Sequence, residues 1–138
     1  MPAHSENSAI RALEGVWVPV NASVAGTPLA VADLRVRYLL LEGGGYRIVD
    51  GSNRVVDGGE YHIDAAATPA RMDIVGRTGP HAGRTLLAIY ELNGDELTVC
   101  YDLEGRGRPA RLEARDDEVL LRITYTRAAL GLGPSTGA

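Results

Sequence analysis

Residues 84–101 read RTLLAIYELNGDELTVCY, two apolar runs of β-forming residues on either side of Asn93-Gly94. Asn-Gly between such runs is the strongest short-range signal for a β-hairpin, because both residues tolerate the positive φ of a type I′ turn. With these two residues as the loop, three facing pairs form one side of the hairpin: Tyr90 with Leu97, Ala88 with Val99, and Leu86 with Tyr101. The sequence therefore predicts a central hairpin that turns this side to the core.

Short strands separated by turn residues continue on both sides of this hairpin. Eight or nine of them can be counted in residues 13–127, among them a strand at 108–114, without an internal repeat or a linker. Pro19 in the first strand indicates an edge position or a bulge, because proline has no N–H for a sheet ladder. Closing such a series removes the exposed edges that an open sheet would leave. The predicted fold class is therefore all-β, an antiparallel up-and-down β-barrel of eight or nine strands with a short N-terminal helix.

Two short segments flank the predicted barrel. Residues 1–12 are expected to form an N-terminal arm or short helix, since Ser5 can cap a helix with Ile10 and Leu13 on one face. Residues 128–138 are predicted to be a flexible C-terminal tail. The 138 residues thus make one domain, which is long enough to bury a core.

Composition and charge exclude several classes of partner. No apolar run approaches the roughly 20 residues of a membrane-spanning helix, and the N-terminus has neither the basic nor the apolar region of a secretory signal. The single Cys100 cannot form an internal disulfide, so a cytoplasmic location is expected. The net charge is −4 and most basic residues are scattered, which argues against nucleic acid, because phosphate binding needs a basic stripe. All fourteen cations are arginine, which excludes Schiff-base chemistry at a lysine.

Gly15-x-Trp17 at the start of the first strand resembles the Gly-x-Trp opening of lipocalins and other calycin barrels. Across residues 13–126 the chain is still more similar to a family of small bacterial lipocalin-like domains. The matching pieces are LEGxW at 13–17, GxYxID at 59–64, GRTLLxIYELxGDxL at 83–97, Cys100-Tyr101 and Arg108-Pro109. One departure is Leu39-Leu-Leu41, where members of that family often carry an aromatic residue. The resemblance implies a lipocalin-like barrel with a cavity and no enzyme class, because the family brings no known reaction.

The resemblance also implies a structural role for Gly15 and Trp17. In the calycin pattern the opening tryptophan closes the barrel floor, and an arginine from a late strand lies across its ring. Arg122 and Arg127 are the two candidates for this arginine. A guanidinium over an indole face contributes about 0.5–2 kcal/mol.

Residues that could carry chemistry are few. Glu60, His62 and Asp64 alternate along one strand and could form a metal-binding or acid–base row. Their alternation with Tyr61 and Ile63 is instead typical of the polar outer face of a half-buried strand, which is the favoured interpretation. One cysteine and three scattered histidines give no zinc spacing, and there is no nucleophile elbow, phosphate loop or dinucleotide fingerprint. No metal and no cofactor are therefore predicted.

The six tyrosines are the remaining signal, because each falls in a predicted strand. Several share a side with aliphatic neighbours, as Tyr38 does with Val36 and Leu40. A barrel of about eight strands either fills with side chains or holds one small ligand, and the sequence leaves both alternatives open. If there is a pocket, the predicted ligand-binding residues are Tyr38, Tyr90, Val99, Tyr101, Arg122 and Tyr125.

Three functions fit this pattern. The first is a barrel that encloses an apolar small molecule without changing it. The second is a cofactor-free, pericyclase-like cyclase or isomerase acting on a lipophilic polyketide-type biosynthetic intermediate, by shape and by tyrosine hydroxyls that polarise a carbonyl. The third is a scaffold that meets another protein. A homodimer is also predicted, because an outward apolar patch marks a contact unless the N-terminal helix covers it; the patch consists of Leu39, Leu41, Leu87 and Ile89.

Overall fold

A computed structural model describes residues 2–34, 36–80, 82–102, 107–109 and 120–128 of the chain. Within these residues, helix α1 comprises Pro2–Leu13, and a single 3₁₀ turn comprises Val31–Leu34. The same residues contain nine strands: β1 Gly15–Val24, β2 Thr27–Leu29, β3 Tyr38–Glu42, β4 Gly45–Val49, β5 Val55–Asp64, β6 Ala70–Thr78, β7 Thr85–Asn93, β8 Glu96–Asp102 and β9 Leu120–Arg127.

Eight of these strands form a closed antiparallel barrel, which confirms the predicted fold class. From β3 to β9 each strand pairs with the next one along the chain. The first strand closes the ring, because its start pairs with β3 and its length from Trp17 to Val24 pairs with β9. The short β2 is an extra strand, and among the described strands it pairs only with the end of β1. The register of β1 against β9 shifts between Pro19 and Asn21, so the bulge expected at Pro19 is present.

The central hairpin is present, but its predicted turn and register are wrong. Asn93 lies in β7 opposite Glu96, and the two-residue loop is Gly94-Asp95. Gly94 has a φ of 61° at the first loop position, which is where a type II′ turn has its glycine. Tyr90 therefore faces Val99, and Ala88 faces Tyr101. Each strand residue meets a partner two positions away from the predicted one, and a shift of two keeps every side chain on its face. The predicted inner side is for this reason still the core side.

The inner and outer sides of β3 are the reverse of those predicted. Leu39 and Leu41 are buried in the core, 7% and 4% exposed. Tyr38 is half-exposed on the opposite side, where the guanidinium of Arg37 lies 5.2 Å from its ring centroid. The leucine run has no alternation of its own, and Val36 is therefore the apolar residue that suggests an inward Tyr38. Val36 precedes the strand and does not share its alternation.

Helix α1 closes one end of the barrel, which we call the floor. Leu13 at its end is completely buried, and the indole Nε1 of Trp17 donates to the Leu13 carbonyl oxygen at 2.8 Å. The Arg127 guanidinium lies 4.4 Å from the centre of the Trp17 ring, so Arg127 and not Arg122 is the arginine over the tryptophan. Arg127 also donates to the carbonyl oxygens of Ala12 at 2.8 Å and Glu14 at 2.5 Å. It thereby satisfies the Ala12 carbonyl oxygen in the last turn of α1, which has no partner within a helix, and the Glu14 carbonyl oxygen just after the helix. The helix begins at Pro2, so Ser5 lies inside it and is not its cap.

The apolar patch from which a homodimer is predicted is not exposed. Its β3 members face the core, and Ile89 is only 1% exposed in a second buried cluster with Cys100 and Leu120. Beside this cluster, Arg108 lies on the outer face of β6 and β7 and donates to the Ala88 carbonyl oxygen at 3.0 Å. The homodimer thus stays a prediction without this support.

Two predictions concern residues at or beyond the ends of the described segments. Of the strand predicted at 108–114, residues 108 and 109 are not in a strand, and residues 110–114 lie outside the described residues. The same holds for residues 129–138 of the predicted tail.

Candidate functional site: a cavity inside the barrel

The barrel interior contains a cavity of about 440 Å³. This volume lies in the usual range for small-molecule sites, roughly 300–1,000 Å³. Of the two alternatives left open by the sequence, a filled interior or a pocket, the structure has the pocket. Most of the wall is aliphatic, and the described lining residues are Leu34, Val36, Leu39, Leu41, Tyr46, Ile48, Asp50, Val56, Asp57, Tyr61, Met72, Ile74, Pro80, Leu86, Leu97, Val99, Tyr101, Leu121, Ile123 and Tyr125.

The mouth of the cavity lies at the end of the barrel opposite α1. Leu34 and Val36 approach it from the segment before β3, Asp50 from the turn between β4 and β5, and Pro80 from the turn between β6 and β7. Val56 is 38% exposed at the same rim. The cavity therefore opens between these turns, away from the closed floor.

The first polar pair in the wall joins Tyr46 on β4 to Asp57 on β5. Tyr46 lies directly opposite Gly59, and a β-carbon at Gly59 would be 3.0 Å from the Tyr46 ring. The absence of a side chain at Gly59 therefore makes room for the ring. The Tyr46 hydroxyl donates to Oδ1 of Asp57 at 3.2 Å, and Asp57 is 6% exposed. Burial, followed by the negative charge of Asp57 and this hydrogen bond, raises the pKa of Tyr46 far above its usual value. The tyrosine is therefore a neutral donor held on a buried carboxylate.

The second polar pair consists of Tyr101 on β8 and Tyr125 on β9, whose hydroxyl oxygens are 2.9 Å apart. Burial raises the pKa of Tyr125 to about 12, and the hydrogen bond with Tyr101 acts in the opposite direction. Burial also raises the pKa of Tyr101, and the charge that Tyr125 would carry adds to this. Tyr101 is close enough to contribute to the raised pKa of Tyr46 as well, so the two pairs influence each other across the cavity.

Tyr61 supplies a third polar group, toward the floor. It is 2% exposed, and its hydroxyl has no hydrogen-bond partner among the residues that the structure describes. Burial, and then the nearby charge of Glu14, raise the pKa of Tyr61 to about 12. The backbone of Gly44 acts in the opposite direction and lowers this pKa, although its distance and angle to the hydroxyl do not meet those of a hydrogen bond. A buried hydroxyl in a cavity wall without a partner is costly, and a ligand oxygen would relieve that cost.

Three of the six predicted ligand-binding residues line the cavity, namely Val99, Tyr101 and Tyr125. The other three do not line it. Tyr38 lies on the outer side of β3, for the reason given above. Arg122 lies opposite Cys100 on the outer face, because its neighbours Leu121 and Ile123 occupy the inner positions of β9.

Tyr90 is buried as predicted, but it lies outside the cavity. It borders a separate depression of about 360 Å³ between α1 and the turn that follows β5. Ala9, Leu13 and Pro69 are among the other residues that line this depression. Tyr90 therefore belongs to the floor.

Sequence reasoning missed Tyr46, Asp57 and Tyr61 as site residues. A signal for Asp57 exists, because it has the same parity as Tyr61 and Ile63, which were assigned to the inner side. The register shifts around β5 leave Val56 and Arg77 unpaired, so the alternation from Asp57 onward is unbroken. A carboxylate at an inner position of an apolar strand is the unusual feature that would have found it.

The row of Glu60, His62 and Asp64 lies on the outer face of β5. Glu60 forms an ion pair with Arg77, and its other carboxylate oxygen is 3.8 Å from Nε2 of His62. His62 and Asp64 are exposed, in agreement with the favoured interpretation. In the described part of the chain, no group of three or more His, Cys, Asp or Glu side chains could hold a metal ion. None of the helices described is long and apolar enough to cross a membrane.

Comparisons of the chain with protein-family models, with curated proteins and with solved structures each found no match. The fold and the cavity therefore carry the functional argument. They define a closed antiparallel barrel whose interior could enclose a ligand.

Proposed function

We propose that this protein binds an apolar small molecule inside its barrel. The observation that carries the proposal is the cavity of about 440 Å³, which has an aliphatic wall and a few polar groups. Apolar walls supply affinity, and a small number of hydroxyl and carboxylate groups orient the ligand. Burying roughly 300 Å² of apolar ligand surface is worth about 7 kcal/mol at 25 cal/mol per Å². Micromolar binding is therefore expected.

The proposal extends to the class of barrel. The resemblance to small bacterial lipocalin-like domains is supported by the floor, where Trp17 lies under the Arg127 guanidinium as the calycin pattern implies. An opening at the opposite end of the barrel also suits a lipocalin-like carrier. A scaffold that meets another protein is the remaining alternative, and it does not need an open lumen.

Binding is tested with the neutral apolar dye N-phenyl-1-naphthylamine, whose fluorescence rises on transfer from water to an apolar site. Wild type should bind it with a micromolar Kd. Val99→Phe places a larger side chain in the cavity wall and should weaken binding at least tenfold. Val20→Phe is the matched control, because Val20 is 53% exposed on β1 and does not line the cavity. Equal dye affinity in both variants would place the dye outside the lumen and overturn the proposal.

A second candidate function, a cofactor-free isomerase or cyclase, is favoured by the Tyr46–Asp57 pair. The Asp57 carboxylate could remove a proton from the carbon between the carbonyl and the double bond of a β,γ-unsaturated ligand and return it to the γ-carbon of the resulting dienolate. The Tyr101–Tyr125 pair could hold the enolate oxygen meanwhile. Folding of a flexible polyketide-type chain by the wall would add a cyclase activity.

This second candidate has a test that needs no natural substrate. An isomerase of this kind should exchange the hydrogens next to the carbonyl of 2-decanone for deuterium in heavy water, which mass spectrometry detects. Asp57→Asn should slow the exchange at least a hundredfold and still bind the dye. If wild type exchanges no faster than buffer, the carrier function stands alone.

A further inference from the structure

The Tyr101–Tyr125 pair has two hydroxyl protons, and the hydrogen bond between the two tyrosines takes up only one of them. Two hydroxyls that hydrogen-bond to each other share one O–H donor, and the second O–H is left without an acceptor from the pair. The two oxygens are 2.9 Å apart in the cavity wall, so the spare donor is presented to whatever occupies the cavity. The Tyr61 hydroxyl, which has no hydrogen-bond partner among the described residues, is a second donor of the same kind. Both donors call for an acceptor oxygen in the ligand.

The charges of the described lining residues act against an anionic ligand. None of the described lining residues is an arginine or a histidine, and the chain has no lysine. The wall does carry the Asp57 carboxylate, which is 6% exposed. A carboxylate ligand would therefore be buried beside a like charge and without a counter-charge from these residues, which is strongly unfavourable.

We propose that the cavity selects an uncharged apolar molecule with a carbonyl oxygen, which accepts the spare proton of the Tyr101–Tyr125 pair, and that it rejects the corresponding carboxylate. This inference rests on the proposed binding function and names the chemical class of its ligand. A ketone, an aldehyde or an ester presents two lone pairs without a charge, so it satisfies the tyrosine donor and avoids repulsion by Asp57. A fatty acid of the same length fills the same apolar wall but brings the unfavourable charge.

The first arm of the test compares three ligands with similar chains and different end groups. Isothermal titration calorimetry at pH 7.5 measures the Kd of wild type for 2-decanone, decanoate and decylamine. The ketone is expected to bind at least tenfold more tightly than each charged ligand. Decanoate binding as tightly as the ketone would overturn the inference, because the charge of the wall would then not matter. Decylamine binding more tightly than the ketone would also overturn it, because Asp57 and not the tyrosine pair would then recognise the ligand.

The second arm compares the ketone affinity of single and double Tyr→Phe variants of the pair, because the two kinds of variant differ in the number of donors that remain. In Tyr101→Phe or Tyr125→Phe the remaining hydroxyl loses its partner and keeps its proton for the ligand, so each single variant should lose no more than about threefold in affinity for the ketone. The double variant keeps no donor from the pair, with only the Tyr61 hydroxyl left toward the floor, and should lose tenfold or more. Tyr38→Phe is the control, because Tyr38 lies on the outer side of β3, and it should bind like wild type. Two single losses that multiply to the loss of the double variant would contradict the shared proton.

A third variant protects the test if the double variant fails to fold. Asp57→Asn keeps the shape and removes the charge, so it should raise the affinity for decanoate relative to 2-decanone at least fivefold. An unchanged ratio would contradict the electrostatic part of the inference. If wild type binds neither N-phenyl-1-naphthylamine nor any of the three ten-carbon ligands, the proposed function itself is refuted. Binding of the dye without preference among the three ligands refutes only the inference about ligand class.

Discussion

Replacing Arg127 by methionine should release the floor of the barrel. The side chain makes two hydrogen bonds to backbone carbonyl oxygens of the α1 segment, at 2.8 Å to Ala12 and 2.5 Å to Glu14. Its guanidinium lies 4.4 Å from the Trp17 ring centre, and its Nε donates to Asp95 at 3.1 Å. Methionine keeps the length and apolar character of the side chain and loses every donor. The variant therefore removes the polar connection between β9 and the helix.

The expected cost follows from these contacts. A hydrogen bond from a charged donor contributes about 1.5–3 kcal/mol, and a cation–π contact about 0.5–2 kcal/mol. The ion pair adds little, because the Asp95 side chain is 79% exposed and water screens it. The contacts share one side chain that is 27% exposed, so their values do not add in full. A loss of about 3 kcal/mol is expected, which lowers Tm by roughly 10 °C in a chain of this size.

The fluorescence of Trp17 can follow this change, because Trp17 is the only tryptophan of the chain and is completely buried. Urea unfolding followed by tryptophan fluorescence measures the free energy of unfolding, and circular dichroism checks that the barrel persists. Asp95→Asn is the matched control, since it removes only the exposed ion pair and should cost less than about 1 kcal/mol. If Arg127→Met destabilises no more than this control, Arg127 does not connect β9 to the helix at the floor of the barrel.

Three further predictions test the strand register and the buried tyrosines. Gly59→Ala should destabilise by about 3 kcal/mol or more, because a β-carbon there would lie 2.0 Å from a backbone oxygen of β6, whereas Gly51→Ala meets nothing within 4 Å and should be nearly neutral in urea unfolding. Gly94→Ala should lower the free energy of unfolding by about 1 kcal/mol or more, because Gly94 has a φ of 61°. Asn93→Ala should lower it by less, because Asn93 lies in the strand. A larger loss for Asn93→Ala than for Gly94→Ala would instead support an Asn93-Gly94 turn. Burial raises the pKa of Tyr125 from 10.0 to about 12, so the stability that its neutral form contributes is complete below pH 10 and is lost as the pH rises through 12. Absorbance at 295 nm should accordingly show late tyrosine ionisation that coincides with unfolding, and six tyrosines titrating near pH 10 in a folded barrel would contradict this.

The sequence predicted the fold because its signals agree on several scales. Turn residues separate short β-forming runs along the whole chain, and only closure leaves such a series without open edges. The turn of the central hairpin was harder, since Asn93-Gly94 and Gly94-Asp95 can each form a two-residue loop. The two choices differ by two positions in register, and the hydrophobic pattern has a period of two. Burial therefore cannot distinguish them, and the pairing of both strands with their outer neighbours decides.

The polar pairs of the cavity depend on contacts that no local pattern encodes. Tyr101 lies opposite Leu121, and Tyr125 lies opposite Leu97, so the two tyrosines are four positions apart along the paired strands. That separation is about 13 Å between α-carbons, and the hydroxyls meet only because both rings lean toward each other inside the lumen. Rules for directly facing pairs cannot predict such a contact. It depends on the register of β8 against β9, which the long connection between these strands does not fix.

The number of tyrosines is by itself weak support for a polar site, because the chain has no phenylalanine and every large aromatic side chain except Trp17 is a tyrosine. A barrel that used tyrosine only as filling would direct the hydroxyls to water at its ends. Here the hydroxyls of Tyr101 and Tyr125 form a hydrogen bond in the wall of the cavity, and the hydroxyl of Tyr46 donates to the Asp57 carboxylate. Asp57 contributes nothing to apolar packing, and its buried carboxylate accepts the Tyr46 hydroxyl in the cavity wall. The arrangement therefore supports the proposed site more than a filled core.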